Sequence, residues 1–236
     1  LGLKEENVMQ DLNYKVIGET CGIQIKYASY EVNNWNGIFS SDSEYLSLIN
    51  LARVRQISAM DQLDLNEHLS KIERDKLDAI EKEIKSYKDV YGLIDFTDMI
   101  QKFLDKNVTP DFDVIFIDEA QDLSLIQWSM INKIEKDTNC DVWVAGDDDQ
   151  AIFGWAGADV ESFINYNAKE IPLKQSERVP SIIQEIALNV ITRIEKNRID
   201  KEYFPKSETG EVFERYRLSD IDMSTGDWLI LTRTKS

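Results

Sequence analysis

The spacing of apolar positions changes several times along this chain, and each change predicts an element. Tyr45, Leu48, Ile49 and Ala52 recur at three- and four-residue steps, which predicts a helix over about 44–60 capped by Ser43. Across 61–90, Leu65, Leu69, Ile72, Ile80, Ile84 and Tyr87 keep helical spacing with Glu, Asp and Lys between them. That is the pattern of a solvated amphipathic helix, with Gly92 as its end. Asp95 followed by Asp98 predicts a capped helix whose stripe is Phe96, Met99, Ile100, Phe103 and Leu104.

The texture changes after Pro110. Val114-Ile115-Phe116-Ile117 is apolar at consecutive positions, as expected for a strand buried on both faces of a parallel sheet. A helix over about 124–136, with Ile126, Met130, Ile131 and Ile134 inward, leads to a second short buried strand at 142–145. Strand, helix and strand within about 32 residues is the βαβ rhythm. Beyond 167 the pattern predicts a short strand at Ile171-Pro172-Leu173 and a helix over 181–197 with Ile182, Ile183, Ile186, Val190 and Ile194 inward. Further strands are expected at 211–217 and 228–232. The turn-rich segment 34–43 reads as a loop, and residues 1–30 carry no clear period.

Composition narrows the picture. The 236 residues carry 27 Lys plus Arg against 44 Asp plus Glu, a formal net charge of -17. Such acidity argues against a basic surface that coats nucleic acid indiscriminately. No apolar run is long enough to span a membrane, and no basic-then-apolar leader opens the chain. Cys21 and Cys140 lack partners at metal-ligand spacing, so reduced buried thiols in an intracellular protein are expected. The single histidine, His68, reads as a surface helix residue.

The acids are not spread evenly. Asp118-Glu119-Ala120-Gln121-Asp122 closes the first predicted strand, and Gly146-Asp147-Asp148-Asp149-Gln150 closes the second. In open parallel sheets, ligands bind beyond the carboxyl ends of strands. Adjacent carboxylates there repel each other, and a Mg²⁺ ion held by one or two Asp and by substrate phosphates relieves the repulsion. A neighbouring Glu can then orient and deprotonate water, and an uncharged amide such as that of Gln150 suits a terminal phosphate and its water. Taken alone, Asp-Glu after a strand is a weak signal, more often only a favourably charged helix N-terminus.

DEAQD at 118–122, with GDDDQAIFGWAGAD at 146–159, resembles motifs II and III of superfamily 1A DNA helicases, the UvrD/Rep family. The two strings begin 28 residues apart. The resemblance implies that Asp118 helps hold Mg²⁺, that Glu119 is the catalytic base and that Gln150 contacts the γ-phosphate region. It also implies that Phe153 and Trp155 stack on single-stranded bases, a role any aromatic face fulfils without sequence preference. Core packing is the plainer reading of both rings, and Gly154 and Gly157 favour an open loop. Residues 92–100 are similar to the element preceding motif II, 173–180 resemble motif IV, and 229–234 resemble a later strand segment. Arg178 matches the family arginine directed at the γ-phosphate. Two departures stand out: Glu177 replaces a usual aromatic, and Ala156 replaces a frequent Arg.

No GxxxxGK(S/T) phosphate loop occurs, and motifs V and VI are not recognisable. With no initiator Met, the chain is expected to be an interior fragment of a longer helicase, inactive by itself. The resemblance implies an α/β fold: a RecA-like P-loop NTPase parallel sheet, forming an incomplete first motor domain from 1–39 and 93–167. A helical insertion over 40–92 and the start of a second RecA-like domain at 168–236 complete the expectation. ATP would bind between the two domains. The implied function is an ATP-dependent DNA helicase or single-stranded DNA translocase, 3′ to 5′, using ATP and Mg²⁺ on single strands and duplex junctions within the cytoplasm. The alternatives are a motor subunit of a helicase-nuclease complex and a non-catalytic DNA-binding or regulatory domain without a Walker A motif.

Overall fold

The structure, a computed structural model, describes residues 4–23, 43–66, 69, 71–215, 217 and 220–230. The expected loop at 34–42, His68 and residues 231–234 lie outside that set. The chain divides into two compact units, one of Leu1–Ala168 with Asn197–Ile199 and another of Lys169–Lys196 with Asp200–Ser236.

In the first unit, α1 (Asp11–Thr20), α2 (Glu44–Val54), α3 (Ala59–Asp64) and α4 (Arg74–Tyr91) enclose a helical core. Ile17, Ile49, Leu77 and Ile80 are its fully buried centre. The helix expected over 44–60 breaks in two, because Gln56 adopts a left-handed backbone and Ser58 restarts the helix by accepting the Asp61 N–H at 3.0 Å. Of the helical run expected over 61–90, 61–64 fall in α3 and helix resumes only at Arg74. Leu65, between the two, is exposed rather than inward. Within α4 the amphipathic reading holds: Leu77, Ile80 and Ile84 are buried, and Gly92 caps the C-terminus.

One buried charge cluster pins these helices together. Asp95 caps α5 (Phe96–Leu104) in a reciprocal box with Asp98. It receives Arg53 from α2 at 2.6 and 3.1 Å and is also bonded by Lys88 from α4. Lys88 and Arg53 both reach Asp98 as well, so two cations face two carboxylates. Burial pushes the Asp95 carboxyl up, but the Arg53 hydrogen bond and charge, with Lys88, outweigh it and hold it well below the usual carboxylate range. The predicted stripe on α5 is only partly covered: none of its residues is buried and Phe96 is half exposed.

The βαβ unit forms as expected from β1 (Val114–Ile117), α6 (Leu125–Thr138) and β2 (Asp141–Val144), with β1 and β2 paired in parallel, Ile117 opposite Val144. Ser124 caps α6 in a box with Gln127. Ile126, Ile131 and the unanticipated Trp128 are its buried face. The strands are covered on one face only, where Ile117, Val142 and Val144 pack with Ala120, Trp128 and Ile131. On the other face Phe116 is 78% exposed beside Trp143, their rings 6.3 Å apart. The expectation of strands buried on both faces is thus corrected: among the described residues, every element packed on this small sheet lies on one side.

The second unit contains α7 (Ser181–Ile191), shorter than the predicted 181–197. Its Ile183, Ile186 and Val190 are exposed rather than inward. Among the described residues of 171–173, 211–217 and 228–232, the predicted strands are absent. Leu173, Phe213 and Leu229 are exposed, with only an isolated bridge between Gln175 and Phe204. A strand needs a partner ladder, and a short apolar run without one has no reason to extend. The start of a second RecA-like sheet is therefore not discernible among the described residues. What is present is a small parallel sheet flanked by helices.

Candidate functional site

Parallel pairing carries both acidic segments to the same end of the sheet. The ladder continues past the strands, since the Ala145 N–H donates to Ile117 O at 2.7 Å and the Ala120 N–H to Ala145 O at 3.0 Å. Asp118 is exposed at the tip of β1 and accepts the Glu119 N–H at 3.0 Å. Glu119 is exposed too and sits at φ 51°, ψ 41°. That left-handed conformation is uncommon for a residue with a side chain and costs about 1–3 kcal/mol.

Gln121, 1% exposed, joins the two segments. Its Nε2 donates to Glu119 Oε2 at 2.8 Å, and its Oε1 accepts the Asp147 N–H at 3.0 Å. Gly146 leaves room for this: a Cβ there would lie 2.6 Å from Gln121 Oε1. On the second segment, Asp147 accepts Gln150 Nε2 at 2.8 Å and the Asp149 N–H at 3.2 Å. Glu119 and Gln150 are therefore linked through Gln121 and Asp147. Burial, and then the charge of Glu119, push the Asp122 carboxyl up, and its Oδ1 is shielded with no hydrogen-bond partner among the described residues.

The loop that follows is fixed from α2. Arg55 donates to Gly154 O at 3.0 Å, and Gly157, at φ 99°, lies where a Cβ would meet Val54 Cγ2 at 2.5 Å. Trp155 is 73% exposed on a short helical turn, Phe153 is half-buried, and their rings lie 6.3 Å apart at 52°. Phe153 precedes a turn of 3-10 helix at Gly154–Ala156, and Trp155 lies within it. Arg178 belongs to the second unit. It is exposed, and its backbone N–H donates to Ser176 Oγ at 3.3 Å.

A single exposed carboxylate fits Mg²⁺, which takes one or two protein oxygens and completes its shell with phosphates and water. Among the described residues no group of three or more His, Cys, Asp or Glu could hold a metal, so an all-protein cage is not the form such a site takes here. Sequence reasoning missed Gln121 as the link between the segments. Its signal was the motif itself, whose fourth residue is an amide among acids. It also missed Arg198 and Ile199, which bond Asp149 and Asp148 from 49 and 51 residues away and leave no local signature.

The family described as "UvrD/REP helicase N-terminal domain" matches residues 5–171. DNA helicase II of Escherichia coli (strain K12) is 33% identical over 139 residues, which are 53% of this chain and 19% of that protein. The ATP-dependent DNA helicase PcrA of Leuconostoc citreum is 28% identical over 138 residues, 52% of this chain and 18% of its own length. DNA helicase II of Rickettsia typhi (strain ATCC VR-144 / Wilmington) is 36% identical over 105 residues, 41% and 15% respectively. The chain spans no more than about a fifth of the length of these curated relatives.

Proposed function

This chain belongs to the UvrD/REP helicase N-terminal domain family, and on that premise we propose that it is part of the motor of an ATP-dependent DNA helicase. The intact motor hydrolyses ATP with Mg²⁺ and moves 3′ to 5′ along single-stranded DNA inside the cell, engaging duplex junctions. Residues 1–39 and 93–167 belong to its first RecA-like domain, 40–92 to a helical insertion, and 168–236 to the start of the second.

Asp118 would help hold Mg²⁺, which would supply charge neutralisation to the phosphates. Glu119 accepts the proton of the attacking water, and Gln150 orients that water toward the terminal phosphate. Arg178 offers a guanidinium fork to the transferred phosphoryl group. Phe153 and Trp155 give stacking surfaces to passing bases. Polarity rests on the family resemblance alone.

The observation that supports this reading best is the Gln121 side chain, which ties Glu119 to the loop carrying Gln150. In the full-length protein, Glu119→Gln is expected to retain ATP binding and lose DNA-stimulated hydrolysis by about 10²–10⁴-fold. Unchanged turnover would remove Glu119 as the base. A wild-type protein that binds DNA and hydrolyses nothing would favour a regulatory DNA-binding domain instead.

A further inference from the structure

The tripeptide Asn197–Ile199 belongs to the first unit although the residues on either side of it belong to the second. Within the first unit it engages the acidic loop after β2 at two points. Arg198 Nε meets Asp149 Oδ1 at 2.7 Å and its Nη2 meets Oδ2 at 3.4 Å, a two-pronged ion pair with only 11% and 12% of the two side chains exposed. The Ile199 N–H donates to Asp148 Oδ2 at 2.7 Å, and Asp148 is itself buried.

From Asp149 the bonding is continuous. Its N–H reaches Asp147 Oδ1, the Asp147 N–H reaches Gln121, and Gln121 reaches Glu119. Gln150 hangs from the other oxygen of Asp147. We propose that Arg198, acting through Asp149, is a positioning residue for ATP hydrolysis: it clamps the 147–150 loop so that Glu119 and Gln150 are held in working orientation. The inference rests on the reading of Glu119 and Gln150 given above. A planar fork suits the task, because two parallel bonds fix direction as well as distance, which a lysine ammonium does not. Removing either partner alone also breaks a largely buried ion pair, so lost stability has to be separated from lost positioning.

The test uses the full-length protein and four forms of it: wild type, Arg198→Lys, Arg198→Met, and Arg198→Met combined with Asp149→Asn. Steady-state ATP hydrolysis with saturating single-stranded DNA is measured beside thermal melting and amide hydrogen exchange across 147–150. The expected result for Arg198→Met is a kcat lowered about tenfold or more with KM for ATP changed less than about threefold, the mark of a contact that matters in the transition state. Exchange at the Asp147 and Asp149 amides rises, and Arg198→Lys recovers only part of the loss. The double variant regains melting temperature but not kcat. If the double variant regains both, or if Arg198→Met is folded with unchanged kcat and unchanged exchange, the clamp is refuted while Glu119 keeps its role. If wild type hydrolyses no ATP, the helicase reading fails and the clamp falls with it.

Discussion

Glu119 is held by constraints that its own sequence position does not advertise. A hydrophobic run followed by Asp-Glu marks the strand and the acids, yet it marks neither the left-handed backbone at Glu119 nor the Gln121 amide that bonds its carboxylate and is itself bonded by the Asp147 N–H 26 residues on. Trp155 is the complementary case. Its glycine neighbours marked an open loop, and it is indeed exposed, but the turn of 3-10 helix on which it sits carried no signal in the sequence. Trp155→Ala in the full-length protein is expected to weaken single-strand binding by about 1–3 kcal/mol, and an unchanged affinity in a fluorescence titration would leave it without a stacking role. Arg178→Ala is expected to lower kcat for DNA-stimulated hydrolysis by about 10³-fold or more while the protein melts normally; hydrolysis at the wild-type rate would end its assignment.

Among elements, those whose period is sustained and whose caps are explicit were readable: α5 behind Asp95, α6 behind Ser124, and the two strands flanking α6. Those that fail share a cause. The 44–60 and 61–90 helices were read through Ser58 and the turns before Arg74, because a three- or four-residue step survives a short break in the helix. In the second unit, isolated apolar runs satisfy a strand's composition without a neighbour to pair with. At the join between α2 and the loop after β2, close packing rather than pattern decides. Gly157→Ala would place a methyl against Val54 at a backbone angle that disfavours side chains, with an expected loss of about 1–3 kcal/mol in chemical denaturation. Combining it with Val54→Ala is expected to cost less than the sum of the two; strict additivity would mean that the two side chains do not meet.

For the whole molecule, the net charge of -17 first suggested a poor partner for DNA. The placement of the acids qualifies this, since 118, 119, 122 and 147–149 cluster at the sheet end while residues 193–206 carry five basic and three acidic side chains. Asp95 links stability to acid. Because the folded Asp95 carboxyl lies below its unfolded value, its contribution is complete above about pH 4 and is lost as pH falls further. Asp95→Asn is therefore expected to destabilise by about 3–5 kcal/mol at neutral pH and to flatten the acid limb of the melting-temperature profile. A variant whose acid limb keeps the wild-type slope would show that another group dominates.

Gln121 and Gly146 meet at 2.6 Å from amide oxygen to the position a Cβ would occupy. A methyl at 146 has to displace the amide, and a shorter or repositioned amide at 121 removes the reason for a bare backbone at 146. In evolutionary terms the two positions are expected to behave as one inherited unit. Among homologues they are expected to change together or not at all, and a lineage that lost one is expected to have released the other from selection.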